Sequence, residues 1–143
     1  MIALDTNVVS ELMRQAPDSA VVAWVDRYPA NDVFITAVTA AELLYGVTRL
    51  PEGRRRQSLA TKVRDVLDED FAHRILPFTA DAAEQYAEIV ATRERLGEPI
   101  SMADAQVAAI CLQHDIGLGT RNVKDFADTG VGVVNPWRDD QEK

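Results

Sequence analysis

The chain opens Met1-Ile2-Ala3-Leu4-Asp5-Thr6-Asn7, an uninterrupted apolar run that meets a carboxylate and then two more polar side chains. A short continuous apolar segment reads as a strand buried on both faces. Strands of that kind belong to parallel sheets covered by helices. If Ile2 to Leu4 is such a strand, Asp5 stands at the carboxyl edge of the sheet, which is where open α/β sheets bind their ligands.

Working outward from that strand, helical and strand patterns alternate. Val8 to Arg14 reads as a short helix closed by a turn around Pro17. Asp18 to Tyr28 is amphipathic, with Val21, Val22, Trp24, Val25 and Tyr28 on or near one face. Val33 to Ile35 is β-branched and aromatic, so a second strand is expected. Helices are expected over Thr39 to Arg49 and Arg54 to Asp70, and a third strand over His73 to Pro77. Thr79 has the chemistry of an N-cap for a helix running to Leu96, where Gly97 stops it. Ser101 caps the next helix. Gly117 to Thr120 and Val131 to Val134 read as strands, with a helical turn over Asn122 to Phe126 between them. This order predicts an α/β/α sandwich around a central parallel sheet. No linker or repeat divides the chain, so residues 1–143 are read as one domain.

Composition narrows the function. The 143 residues are 47% hydrophobic and 27% charged, an ordinary globular balance. A chain of this length buries roughly 68–70% of its unfolded surface, enough for a core without staples. The single Cys111 excludes an internal disulfide and lies in an apolar run, where a buried thiol is the simpler reading. His73 and His114 lack partners at zinc-ligand spacing. The start has no basic leader, and no apolar run approaches the ~18 residues of a membrane span. A cytoplasmic location with no membrane contact is therefore expected. Net charge is −8, which on its face argues against a nucleic-acid partner.

The position of the acids changes that inference. Asp5 follows the first strand, Glu42 the second within about a helical turn, Asp104 opens the Ser101 helix, and Asp125 follows the strand around Leu118. Each has an ordinary alternative. Thr39-x-x-Glu42, Ser101-x-x-Asp104 and Asn122-x-x-Asp125 all have capping-box spacing, and acids in a first helical turn also suit the helix dipole. Asp5 fits that alternative least well, because a carboxylate at the end of a buried central strand is costly unless paired or bound to a cation. Were the other three acids to converge on it, their repulsion would call for a cation. An oxygen-rich site of this kind suits Mg²⁺ or Mn²⁺. Two such ions would activate a water against a phosphodiester. They would also move the formal charge from −8 to about −4.

Four stretches carry a resemblance. Leu4-Asp5-Thr6-Asn7-Val8-Val9-Ser10-Glu11-Leu12, Thr39-Ala40-Ala41-Glu42-Leu43-Leu44-Tyr45-Gly46, Ala103-Asp104-Ala105-Gln106-Val107-Ala108 and Thr120-Arg121-Asn122-Val123-Lys124-Asp125-Phe126 resemble, in order and spacing, the acidic motifs of PIN-domain proteins. The chain looks most like the VapC-type toxins of type II toxin–antitoxin systems, in their FitB-like branch. The resemblance implies a Mg²⁺- or Mn²⁺-dependent endoribonuclease, a homodimer, and neutralisation by a cognate DNA-binding antitoxin. It assigns Asp5, Glu42 and Asp104 as the core catalytic and metal-ligating acids and Asp125 as the fourth. Thr6, Asn7, Thr120 and Asn122 become supporting residues. The histidines then need no part in activating the nucleophile.

RNA must still be attracted. Arg49, Arg54, Arg55, Arg56, Lys62 and Arg64 form a basic stretch opposed only by Glu52, and they can follow a phosphate backbone or simply make a solvated helix face. Arg121, between motif residues, is the phosphate contact expected nearest the metal. Arg27, Arg74, Arg93 and Arg95 are read as surface charges. Trp24 and Tyr28 fit packing, and Tyr45 fits base stacking less weakly than they do. Leu12, Met13 and Met102 fit a dimer or antitoxin surface as well as core. Two alternatives stand beside the nuclease. A phosphotransfer or phosphatase domain would use Asp5, although Asn7 occupies the place where a haloacid-type phosphatase has its second Asp, and no adjacent acidic pair marks a receiver. A PIN fold used only for binding is the other.

Overall fold

The computed structural model describes residues 1–138; residues 139–143, included in the one-domain expectation, lie outside the described residues. Five strands form one all-parallel sheet: β1 (Ile2–Leu4), β2 (Val33–Thr36), β3 (Ile75–Leu76), β4 (Gly117–Gly119) and β5 (Val133–Val134). Their order is β3-β2-β1-β4-β5. The chain thus builds outward from β1 in one direction and then returns to its other side. The reversal puts a topological switch point between β1 and β4, beyond which an open parallel sheet forms its ligand crevice.

Six helices cover the sheet: α1 (Thr6–Leu12), α2 (Ser19–Val25), α3 (Ala37–Thr48), α4 (Arg54–Asp65), α5 (Ala80–Arg95) and α6 (Met102–His114). Alternation along β1 sorts the core into two layers. Ile2 and Leu4 pack with Val8, Val21, Trp24, Leu43 and Val63 from α1–α4. Ala3 packs with Ala82, Ile89, Ala105 and Ala108 from α5 and α6. Each fully buried Leu, Ile or Val contributes roughly 1.5–3 kcal/mol. Six consecutive or near-consecutive residues of α6, from Ala105 to Cys111, are buried, so this helix is apolar nearly all round and lies deep in the fold.

Several boundaries differ from the sequence reading. α1 starts at Thr6 and not Val8, because Asp5 is its N-cap, and β3 and β5 are shorter than read. Three more differences have a local reason. α3 begins at Ala37, because Thr36 at the end of β2 is its N-cap and accepts from the Thr39 N–H at 3.1 Å. The α2 helix ends at Val25; Arg27 and Tyr28 then donate to the carbonyls three residues back, tightening the chain into a turn. The expected helix over 54–70 loosens into a wider turn at Val66–Asp70, where the Phe71 N–H reaches the Val66 carbonyl. That turn brings Val66, Leu67 and Phe71 into the core together.

Two arginines expected at the surface are structural. Arg93 is buried, and its guanidinium donates to the carbonyls of Glu98 at 2.6 Å and of Asp125 and Ala127 at 3.0 Å each. Half-buried Arg74 donates to the carbonyls of Ala30 at 2.7 Å, Val33 at 2.6 Å and Asp70. Both hold loops together through backbone oxygens, which leave no mark on residue type. Trp24 is core, as expected, and meets Tyr28 edge-on with ring centres 5.4 Å apart.

Candidate active site

Asp5 does two jobs at the switch point. It is the N-cap of α1, and one carboxylate oxygen accepts from the Thr6 N–H at 2.9 Å. The other accepts from the Thr120 hydroxyl at 2.8 Å, across from the end of β4. Both residues are buried. The Thr120 oxygen also accepts from the Asn122 N–H at 3.1 Å and from the Asn7 amide at 3.4 Å. Asn7 in turn accepts from the Arg121 N–H at 3.1 Å. The four supporting residues named from sequence therefore form one network, with Thr6 completing it by donating its hydroxyl to Glu42.

Three other acids arrive from three other elements. Asp104 sits half-buried in the first turn of α6, where its N–H is capped by Ser101 Oγ at 3.1 Å. Glu42 is exposed on α3, and Asp125 is exposed in the 3₁₀ turn Val123–Phe126. The capping-box alternative fails for Glu42, because Thr36 and not Thr39 caps α3. It fails for Asn122-x-x-Asp125 as well, since Asn122 makes no side-chain cap. For Ser101 it is half right: the serine caps the helix, leaving the Asp104 carboxylate within the acidic field.

Electrostatics tie the four together. Burial pushes the Asp5 carboxyl above its ordinary range, against the pull of the Thr120 and Thr6 hydrogen bonds, and the charges of Glu42 and Asp125 push it further. Asp104 is raised by burial first, then by the charge on Asp5, with smaller contributions from Asp125 and Glu42 against the Ser101 hydrogen bond. No ion pair among the described residues joins any of these acids to a cation. Like charges acting on one another with no ion-paired cation among the described residues fit a bound hard cation.

The donor set bears on which cation fits. It is all carboxylate and hydroxyl oxygen, which suits Mg²⁺ or Mn²⁺ and not zinc. Among the described residues no three His, Cys, Asp or Glu side chains gather into a ready ligand cage. Mg²⁺ keeps several waters and commonly takes only one or two carboxylates, so binding it would not require such a cage. Cys111, deep in α6, is no nucleophile: burial, with the charge on Asp5, pushes its thiol up to about 12.

The arginines divide. Arg121 is exposed at the mouth of the network, and its guanidinium lies over the Trp137 ring at 4.5 Å. Trp137 went unnoticed in the sequence because it sits outside every motif. Arg54 and Arg55 are exposed, whereas Arg56 is half-buried and reaches the Leu50 carbonyl at 3.5 Å. Tyr45 is 65% exposed on α3, one helical turn from Glu42. A cavity of about 310 Å³ opens beside Thr6 and Glu42, walled by Met13, Leu43, Leu59 and Val63.

Comparison with known proteins bears on the family and the fold. A family model described as PIN domain matches residues 2–131. The chain is 40% identical over 139 residues to Toxin FitB of Neisseria gonorrhoeae, covering 97% of this chain and 100% of that protein. It is 37% identical over 137 residues to VapC ribonuclease Y4jK of Sinorhizobium fredii, covering 96% and 98%. The crystal structure of FitAcB from Neisseria gonorrhoeae superposes with a TM-score of 0.89 at 40% identity, covering 96% of this chain and 99% of that one.

Proposed function

This chain belongs to the PIN domain family, and from that membership we propose that it is the toxin of a toxin–antitoxin pair and acts as a metal-dependent endoribonuclease. What supports the chemistry is that the charges of Glu42 and Asp125 act on both Asp5 and Asp104 at the β1–β4 switch point, with no ion pair from these acids to a cation among the described residues. The relatives named toxin and ribonuclease, matched over nearly their whole length, supply the substrate class.

Asp5 and Asp104 would hold Mg²⁺ or Mn²⁺, with Glu42 and Asp125 as further ligands or as partners of its waters. When bound, the ion supplies an acidified water and charge neutralisation at the phosphodiester. The chain's own part is orientation. Thr120 and the Thr6 N–H hold each oxygen of Asp5, so the carboxylate cannot turn. The Thr6 hydroxyl restrains Glu42, which otherwise stands exposed. Arg121, propped on Trp137, presents a fork-shaped cation to the substrate phosphate beside the acids. A protein antitoxin and a homodimer belong to the same reading. Light scattering giving the mass of one chain would remove the dimer.

The test is to map cleavage ends in total RNA for the wild type and Asp5→Asn, with and without Mg²⁺ or Mn²⁺. New ends that need both the ion and Asp5 are the expected result. Equal cleavage by a clean Asp5→Asn/Asp104→Asn double variant would overturn the assignment.

A further inference from the structure

We propose that the cleft between α3 and α4 is a binding track for the phosphate backbone of single-stranded RNA, feeding the acid cluster; this rests on the nuclease reading above. The cleft is a cavity of about 450 Å³ whose polar lining is Arg49, Arg55, Ser58 and Lys62. No acid lines it. On α4, positions 55, 58, 59 and 62 are spaced i, i+3, i+4 and i+7, so they share one face. Gly46, Arg49 and Leu50 do the same at the end of α3. Three cations held on facing walls repel one another and gain from an anion between them. Arginine forks and a serine hydroxyl suit phosphate oxygens.

The cleft joins the active site. Gly46, Leu59 and Lys62 line both it and the cavity beside Thr6 and Glu42. Gly46 lies one helical turn beyond Glu42 and Arg49 two turns, so the basic section begins about 10 Å from that acid along α3. Gly46 is the floor of the passage: a Cβ placed there meets nothing within 4 Å. The acid cluster by itself repels a phosphate chain. A basic track leading into it gives a chain of net charge −8 a local means of holding one. It also sorts the basic stretch, since Arg55, Arg49 and Lys62 line the cleft whereas Arg54 and Arg64 do not.

The test measures binding without cleavage, by fluorescence anisotropy of a labelled single-stranded oligoribonucleotide in EDTA. The triple variant Arg49→Gln/Arg55→Gln/Lys62→Gln should weaken binding at least about tenfold and lower the log–log salt slope by about 2, as expected for three lost phosphate contacts. A second triple, Arg54→Gln/Arg64→Gln/Arg95→Gln, removes the same charge away from the cleft and should weaken binding less than about threefold. Gly46→Leu, which narrows the passage without changing charge, should also weaken it. Equal losses from the two triples would overturn the proposal. So would unchanged RNA affinity in the cleft triple together with lost binding of poly-L-glutamate, which would make the cleft a seat for an acidic polypeptide. Because binding is read without a cation, it is independent of cleavage: a wild type that binds RNA in EDTA but never cuts it once Mg²⁺ or Mn²⁺ is added would sink the hydrolysis reading and leave the track standing.

Discussion

The Thr120 hydroxyl donates to the Asp5 carboxylate at 2.8 Å, joining residues 115 positions apart across the ends of β1 and β4. Thr120→Val keeps the shape and removes the donor. A buried hydrogen bond to a charged group is worth about 1.5–3 kcal/mol, so a stability loss of that order is expected in denaturant titration. The bond also holds the Asp5 carboxyl down against burial. Losing it raises that carboxyl further, so the acidic limb of the pH–rate profile should move to higher pH. A profile that keeps its limb while stability falls would limit Thr120 to a packing role.

Asp5 and Asp104 both have carboxyls raised above the ordinary value of 3.8, chiefly by burial. The folded protein therefore binds more protons than the unfolded chain just above pH 3.8, and the stability from these groups is lost as pH rises through their folded values. In chelator, Asp104→Asn should raise the melting temperature at pH 7, and the difference should close toward pH 3. Mg²⁺ should stabilise the wild type more than the variant. A variant less stable than wild type at both pH values would contradict the electrostatic account.

Arg93 clamps the carbonyls of Glu98, Asp125 and Ala127 from within the fold. Arg93→Lys keeps the charge and loses the fork, leaving some of these part-buried carbonyls without their donor. A loss of roughly 1.5–3 kcal/mol is expected. Since one carbonyl belongs to Asp125, RNA cleavage should fall at temperatures where circular dichroism still shows the folded state. Unchanged cleavage would separate the Asp125 segment from catalysis.

Gly119 is the last residue of β4, between the chain's contact to Asp5 and Thr120. A Cβ there would lie 2.6 Å from Trp24 Cη2 and 2.8 Å from Cζ3. Gly119→Ala should cost about 1–3 kcal/mol, because the well-packed ring has to shift. Adding Trp24→Phe removes the clashing atoms, so the double variant should lose less than the sum of the two single changes. Additive losses would show that the clash is not the cause.

The acids at strand ends were legible because the signals that place them are local. An apolar run followed by Asp5 marks a strand edge, and Ser101 marks a helix start whichever fold surrounds them. The cap of α3 was misplaced by three residues because Thr36 and Thr39 carry the same chemistry. Only the length of β2, set by its pairing with β1 and β3, decides between them. Arg93 was read as a surface charge because its partners are backbone carbonyls, which every residue has.

The sequence by itself determined the order of elements, the buried central strand and the places of the four acids, three after strands and Asp104 at a helix start, since hydrophobic period and capping act over a few residues. The tertiary structure decided where those acids sit and what they touch. It placed Asp5 against Thr120, released Glu42 from a capping role and turned part of a basic stretch into the wall of a cleft. Each of those depends on which distant segments meet, and the strand order around β1 sets that.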